Sequence, residues 1–394
     1  MAARRWIILL ALALARIGIG LQYQTVASLG PLLMRHFALD YAGLGNLIGA
    51  YMLPGAVTAL PLGLLGRRFG DRLVLGGGLV LMTAGGVVCG LAGDPHGIAL
   101  GRVLAGFGAV AVIVLQSKVI ADWFAGPFFL VALGISVCAY PVGMGLAQLV
   151  VVPVAEAFGW QAAFLVGAAE LAASGLLFLA AFRPAPHAAP VPRRFSLPGH
   201  RECGLLLIAG LIWTAYTAGY AGYTAYVPSL LATRGAGLVT AGVVLTIATW
   251  GNVPATLLGG GLASRFGALR IFLIGTLALV AGMAGTALVG SPVALAPIGF
   301  AVVIGILGSV HPSVIMAVST LSARPENRAV GLGLFYTTYY LGGTVAPTLC
   351  GYAADLYGGP AGALLAAAAI SALALPMYLL HRVMAPHSRM LVRA

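Results

Sequence analysis

Residues Gly63 to Arg72 read Gly-Leu-Leu-Gly-Arg-Arg-Phe-Gly-Asp-Arg, a charged island between two long apolar stretches, and they return in weaker form at Gly260 to Gly267. Arg68-Phe69-Gly70 maps onto Arg265-Phe266-Gly267 with an offset of 197, and the same offset carries Pro31 onto Pro228, Tyr23 onto Tyr220 and Gly108 onto Gly305. That offset is half of the 394 residues. A repeat this long is not a solenoid period. It predicts two homologous halves meeting at a pseudo-two-fold axis, with any shared site between them.

Around the island the chain is overwhelmingly apolar, with 61% hydrophobic and only 8% charged residues. Too little polar surface is left to cover a soluble protein of this length, so the chain is expected to be an all-α, polytopic membrane protein. Apolar runs of roughly 20 residues, each able to cross a hydrocarbon core of about 30 Å, fall near 7–30, 42–66, 73–92, 98–119, 127–151, 160–182, 204–230, 238–262, 269–290, 292–320, 328–353 and 360–381. Twelve transmembrane helices follow, in two pseudo-symmetric six-helix bundles over 1–182 and 204–394. The Pro-, Arg- and His-rich stretch 183–203 has no apolar period and reads as a cytoplasmic linker. A membrane barrel would instead need alternating segments of about ten residues, which this sequence lacks.

The net charge of +12 suggests nucleic acid until the charges are assigned to loops. Arg4, Arg5, Arg67, Arg68, Arg72, Arg183, Arg193, Arg194, Arg201, Arg265, Arg270, Arg324, Arg328, Arg382, Arg389 and Arg393 sort to one side, whereas only Arg35 and Arg234 sort to the other. This is the positive-inside pattern of a multi-pass plasma-membrane protein, the bacterial inner membrane being the natural host, with both termini cytoplasmic. It excludes nucleic acid as the partner and makes the lipid bilayer the obligatory one. The first apolar run is longer than a signal peptide and has no small-residue cleavage site before Arg16, so it is expected to be retained. Cys89, Cys138, Cys203 and Cys350 stand singly, without metal spacing, and read as packing residues. No cofactor or metal is implied.

Several polar side chains lie inside apolar spans. Arg16 shares a helical stripe with Gly20, Tyr23 and Ala27, and Gln24 stands on its shoulder. An arginine near mid-membrane must face protein or water. Glu170, about 15 Å from the outer end of the sixth run at 1.5 Å per residue, lies at a similar depth. Arg16 therefore pairs with Glu170, binds a solute anion or snorkels toward the cytoplasm. Lys118 and Asp122, four residues apart, are expected to form a local ion pair. Trp213, Tyr216, Thr217, Tyr220, Tyr223 and Thr224 form a stripe on the seventh span, and Tyr336, Tyr339 and Tyr340 form another on the eleventh. Such stripes serve as packing or, if a cavity supplies hydroxyl partners, as a solute lining. Ser309 and His311 lie in the tenth span, and His311 is either a hydrogen-bonded structural histidine or a group that titrates near neutral pH.

The island itself resembles the loop signature of the major facilitator superfamily: Gly, three residues, an acid, Arg, one residue, Gly, then basic residues, between spans two and three of twelve. Gly63, Arg68, Gly70 and Arg72 match, Arg67 stands at the acid position and the acid appears at Asp71; in the second half Gly260, Arg265 and Gly267 match and Ser264 replaces the acid. Arg102, Gly106 and Gly108 are similar to the family's second motif, and Cys138-Ala-Tyr-Pro141-Val-Gly143-Met-Gly145 to the glycine-proline motif of many exporters. The resemblance implies a secondary transporter, a symporter or antiporter working by alternating access, and not an enzyme. It implies that spans 1, 4, 7 and 10 line a central cavity with 2, 5, 8 and 11 beside them. That places Arg16, Tyr23, Gln24, Arg102, Gln116, Tyr216, Tyr220, Tyr223, Ser309, His311, Tyr339 and Tyr340 as substrate-binding candidates, with Glu170 and His311 as proton-coupling candidates. In the family the island's acid helps latch one conformation; the reordered charges here alter that latch. The expected substrate is a small anion, the first-span pattern being similar to that of the cyanate-type porters, moved by a monomer with or without protons. Multidrug or metabolite efflux is the alternative within transport, and a transport-fold receptor the alternative outside it.

Overall fold

The computed structural model describes residues 2–124, 128–184, 198–290, 295–322, 324 and 328–385. Among them ten helices are long and apolar enough to cross a membrane. Spans 1 and 3 to 6 run over Ala2–Ser28, Asp71–Leu91, Pro95–Trp123, Phe129–Phe158 and Trp160–Ala181. Spans 7 to 9 run over His200–Thr233, Leu238–Phe266 and Ala268–Leu288. Span 11 occupies Arg328–Tyr357, and span 12 runs from Ala361 to Met384 through a single break at Leu373. The end at which span 1 begins is the near face; the end at which span 2 begins is the far face. Most of the expected linker, 185–197, lies outside the described residues.

Besides the one-residue break in span 12, two spans are interrupted where the sequence pattern predicts continuous helices, and proline accounts for both. Span 2 is Tyr41–Gly49 followed by Leu53–Phe69. Pro54 cannot donate a backbone N–H and disfavours helix in the residues before it, so the chain turns through Ala50 to Met52 and restarts. Span 10 is Leu295–Val302, a π-turn at Val303–Leu307 and a last segment from Pro312 to Ser322. Here Pro312 has no N–H to give Gly308 O, so the ladder stops and restarts there, and in the preceding turn the Ser309 hydroxyl donates to Ile304 O at 3.0 Å.

The repeat is visible in the backbone. Gly70 and Gly267, each between two spans on the near face, have φ of +82° and +91° with ψ of 149° and 135°. That region is open essentially to glycine alone. Beside them Arg68 lies 5.5 Å from the Phe69 ring and Arg265 lies 5.4 Å from the Phe266 ring. The charges around the two turns differ. Asp71 opens span 3 and takes Lys118 of span 4 at 2.7 Å, so the ion pair expected between Lys118 and Asp122 forms with the island instead. The displaced acid has captured a lysine on the neighbouring helix, and Arg72 donates to Leu179 O near the end of span 6 at 2.9 Å. The side chain of Arg67 and the surroundings of Gly63 lie outside the described burial.

Span 1 packs on spans 5 and 6, span 3 on spans 4 and 6, and span 7 on spans 11 and 12. The halves meet along two seams, span 2 against span 11 and span 5 against span 8. Described hydrogen bonds join the halves between Gln24 and Thr224, Tyr41 or Ala42 and Asp355, Tyr226 and Tyr41, Thr246 and Gly145, and Thr348 and Asn46. All lie between the middle of the spans and the far face.

Candidate solute site between the halves

Arg102 is buried, with 1% of its surface exposed. Its Nε donates to Leu47 O at 3.1 Å, Nη1 to Gln22 O at 2.6 Å, and Nη2 to Tyr23 O at 3.2 Å and Ile48 O at 3.1 Å. The first half of span 2 ends at Gly49, which leaves the carbonyls of its last turn without partners inside the helix. Arg102 supplies two of those partners, places a positive charge at the negative helix end, and lies 4.6 Å from the centre of the Tyr51 ring. It is a brace between spans 1, 2 and 4, not a free ligand. Gln116 is committed through its amide nitrogen: it is fully buried and donates to Ser136 Oγ of span 5 and Leu12 O of span 1, while its Oε1 has no hydrogen-bond partner.

Arg16 has the opposite environment. Its Nε is buried without a hydrogen-bond partner. Around it, within electrostatic reach, stand Tyr336, Tyr340, Tyr140 and Tyr339. Tyr140 comes from span 5, and the other three come from span 11 across the boundary between halves. Tyr339 and Tyr340 ring centres are 5.0 Å apart, Tyr23 and Tyr140 are 6.3 Å apart, and Tyr23 and Tyr51 are 5.9 Å apart. Tyr340 lies on Gly55, where a Cβ would strike its ring.

Arg16 and Glu170 form no ion pair among the described residues. Glu170 rests on the backbone of span 1 at Gly18, where a Cβ would collide with its Oε2, and both of its oxygens are buried without a hydrogen-bond partner. Residues two apart on a helix do not share a face. Arg16 and the Gly18 contact with Glu170 therefore lie on different sides of span 1, although their depths match.

The second half satisfies only part of its buried polar groups internally: the Tyr223 hydroxyl and both ring nitrogens of His311 are buried without a hydrogen-bond partner. Asn252 Nδ2 donates to Tyr216 Oη at 2.9 Å and to Ser309 Oγ at 3.0 Å, and its Oδ1 accepts from Thr256 Oγ1 at 3.1 Å. The Tyr220 hydroxyl donates to Thr249 Oγ1 at 3.4 Å, and Tyr223 is buried against Tyr220 with ring centres 6.4 Å apart. His311 packs edge-on to Tyr216 at 4.8 Å and to Phe272 at 5.4 Å, and a Cβ on Gly275 of span 9 would strike its ring. It sits inside the second bundle, between spans 7 and 9. Gln24 reaches across the halves instead, its Nε2 donating to Thr224 O at 3.2 Å. That carbonyl is free because Pro228, four residues on, has no N–H to offer it.

Of the candidates from sequence, the fold gathers Arg16, Tyr23, Tyr339 and Tyr340 in one cluster. It uses Arg102 and Gln116 as braces, Gln24 as a link between the halves, and Tyr216, Tyr220, Tyr223, Ser309 and His311 inside the second bundle. The cluster adds Tyr140 and Tyr336, which were visible as part of the span-5 motif and the span-11 stripe. Nothing in their spacing tied them to Arg16, since they lie on other helices.

Two six-helix bundles with broken spans, a basic side chain at mid-depth and phenol rings from both halves define a membrane transporter of the repeated-bundle class, and not an enzyme. The model of the Major Facilitator Superfamily matches residues 10–300 and 208–390, so the chain belongs to that family. It is 26% identical over 364 residues to the 3-(3-hydroxy-phenyl)propionate transporter of Escherichia coli (strain K12), covering 89% of this chain and 87% of that protein. It is 28% identical over 370 residues to Monocarboxylate transporter 11 of Homo sapiens, covering 85% and 74%. Its fold is similar to that of a bacterial homologue of the human lysosomal transporter Spinster in an inward-facing, occupied conformation, with a TM-score of 0.80, 18% identity and coverage of 95% and 96%.

Proposed function

We propose that the protein carries a small organic carboxylate, preferably one with an aromatic ring, bound by the Arg16 guanidinium and the rings of Tyr140, Tyr336, Tyr339 and Tyr340. The observation that carries this reading is a guanidinium near mid-membrane whose buried Nε has no hydrogen-bond partner. A planar fork of donors matches a carboxylate bidentately, and tyrosine rings offer apolar faces with hydroxyls at their edges. Two relatives are named for carboxylate transport, 3-(3-hydroxy-phenyl)propionate and monocarboxylate. The anionic solute expected from sequence thus keeps its preference over a lipophilic cation, which Arg16 would repel.

With hydrogen bonds between the halves on the far side of the site, the described conformation is read as open toward the near face. The near face is the cytoplasmic one by its arginines, in a bacterial inner membrane. Glu170 is the residue assigned to a coupled proton, because it touches span 1 two residues from Arg16; His311, enclosed in the second bundle, is not. Purified protein in liposomes, loaded with unlabelled 3-phenylpropionate and given labelled 3-phenylpropionate outside, tests the reading by counterflow. Exchange that benzoate inhibits and 3-phenylpropanol does not is the expected result. Counterflow of a lipophilic cation with none of the carboxylate would replace this reading with drug efflux. For coupling, Glu170→Gln should keep exchange and lose stimulation by an imposed pH gradient.

A further inference from the structure

The two seams between the halves are built differently. Span 2 starts at Tyr41, and the first N–H groups of any helix have no partner within it. Asp40 caps one in the usual local way, its Oδ1 accepting from Gly43 N at 2.7 Å. The N–H groups of Tyr41 and Ala42 donate instead to Asp355 Oδ1 and Oδ2, both at 3.0 Å. Asp355 belongs to the last turn of span 11, in the other half. Its negative charge also meets the positive end of the helix dipole.

The surroundings make this a fitted junction. The Tyr226 hydroxyl lies 2.8 Å from Tyr41 O and 2.8 Å from Pro347 O, within reach of a carbonyl on each half. Thr348 Oγ1 donates to Asn46 Oδ1 at 2.9 Å. A Cβ at Gly45, Gly49 or Gly351 would strike the backbone of Pro347, Thr344 or Tyr41. The repeat offset carries Tyr41 onto Leu238 and Asp355 onto Phe158, so the seam of spans 5 and 8 has no equivalent carboxylate. There Thr246 donates to Gly145 O at 3.3 Å, and Gly145 lies against Trp250.

We infer that Asp355 is a positioning residue of the transport cycle: its carboxylate clips span 11 to the start of span 2 and holds the far face shut. The clip exists only while the halves touch there, so opening the far face exchanges two charge-assisted hydrogen bonds for water, whereas the Asp40 cap travels with its own helix. The clip is independent of which solute is carried and stands if the carboxylate reading fails.

The test uses full-length protein with Cys89, Cys138, Cys203 and Cys350 replaced by Ser. Spin labels are placed at Gly93→Cys and Gly237→Cys, far-face positions in different halves where a Cβ meets nothing within 4 Å. Electron–electron distance distributions are then compared for the parent, Asp355→Ala, Asp355→Asn and Asp40→Ala. Asp355→Ala should raise the ratio of long to short distances about fivefold or more, the population shift that loss of a helix cap typically gives. Asp355→Asn, which keeps one acceptor oxygen, should shift it less in the same direction. Asp40→Ala, which weakens the same helix start without touching the other half, should leave the ratio unchanged. An unchanged distribution in Asp355→Ala, or an equal shift in Asp40→Ala, overturns the clip. Should Asp355→Ala fail to fold, the same comparison is decided by Asp355→Asn.

Discussion

Two arginines lie inside spans of the first half, Arg102 buried and Arg16 half-buried, and their surroundings are opposites. Arg102 spends its donors on carbonyls of Leu47, Ile48, Gln22 and Tyr23 and lies over Tyr51, so its charge is neutralised by dipoles within one bundle. Arg16 faces phenol rings drawn largely from the other bundle, and its Nε has no partner. A buried cation whose donors are filled is architecture. One whose Nε is left without a partner at the boundary of the halves is the group to which the proposed function gives the anion. The residue type is the same for both; the number of accepting atoms within reach separates them.

The contrast is sharpest when each arginine is removed. Arg16→Gln should lower carboxylate transport by a factor on the order of 10² to 10³, the loss of two hydrogen bonds between charged groups, with the melting temperature unchanged. Arg16→Lys should keep part of the activity, because an ammonium cannot make the bidentate contact. Normal uptake in Arg16→Gln would erase the distinction drawn between the two arginines. Arg102→Gln should do the reverse: it leaves buried carbonyls unpaired and should cost about 3 kcal/mol of stability or more, measured by denaturation in detergent, while the protein that does fold retains affinity for the solute.

Smaller effects test the repeat. Gly70→Ala and Gly267→Ala each place a Cβ in a backbone region that costs a non-glycine residue about 1–3 kcal/mol; unfolding curves should show similar losses, and a loss at only one site would break the equivalence of the two turns. The smallest effect concerns the link from Gln24 to Thr224. Gln24→Ala should cost about 1 kcal/mol in the parent and close to nothing in a Pro228→Ala background, because the restored N–H takes the Thr224 carbonyl back into its own helix. A double-mutant cycle reads this coupling directly, and additive effects would show that the proline is not what frees the carbonyl.

Much of the fold was legible before any coordinates. The offset of 197 announced two halves, and the matching φ of Gly70 and Gly267 is its structural consequence. The apolar runs located the spans, because a bilayer demands a fixed length of apolar helix. The breaks in spans 2 and 10 were less legible: Pro54 and Pro312 mark them, yet Pro141, Pro228 and Pro347 sit inside unbroken helices. Whether a proline breaks or merely notches a helix depends on what takes up the freed carbonyl, and at Thr224 that partner is a side chain 200 positions away.

By itself the sequence determined the membrane class, the repeat, the family and the short list of polar residues inside the spans, since composition and period act locally along each helix. Only the tertiary structure decided that Lys118 pairs with Asp71, that Arg102 and His311 are enclosed within single bundles, and that Arg16 meets Tyr336, Tyr339 and Tyr340 instead of Glu170. Depth along a helix can be counted from the sequence, but which neighbour a side chain faces is set by rotation and packing against other helices. Two residues of difference along span 1 suffice to turn a matched depth into opposite sides.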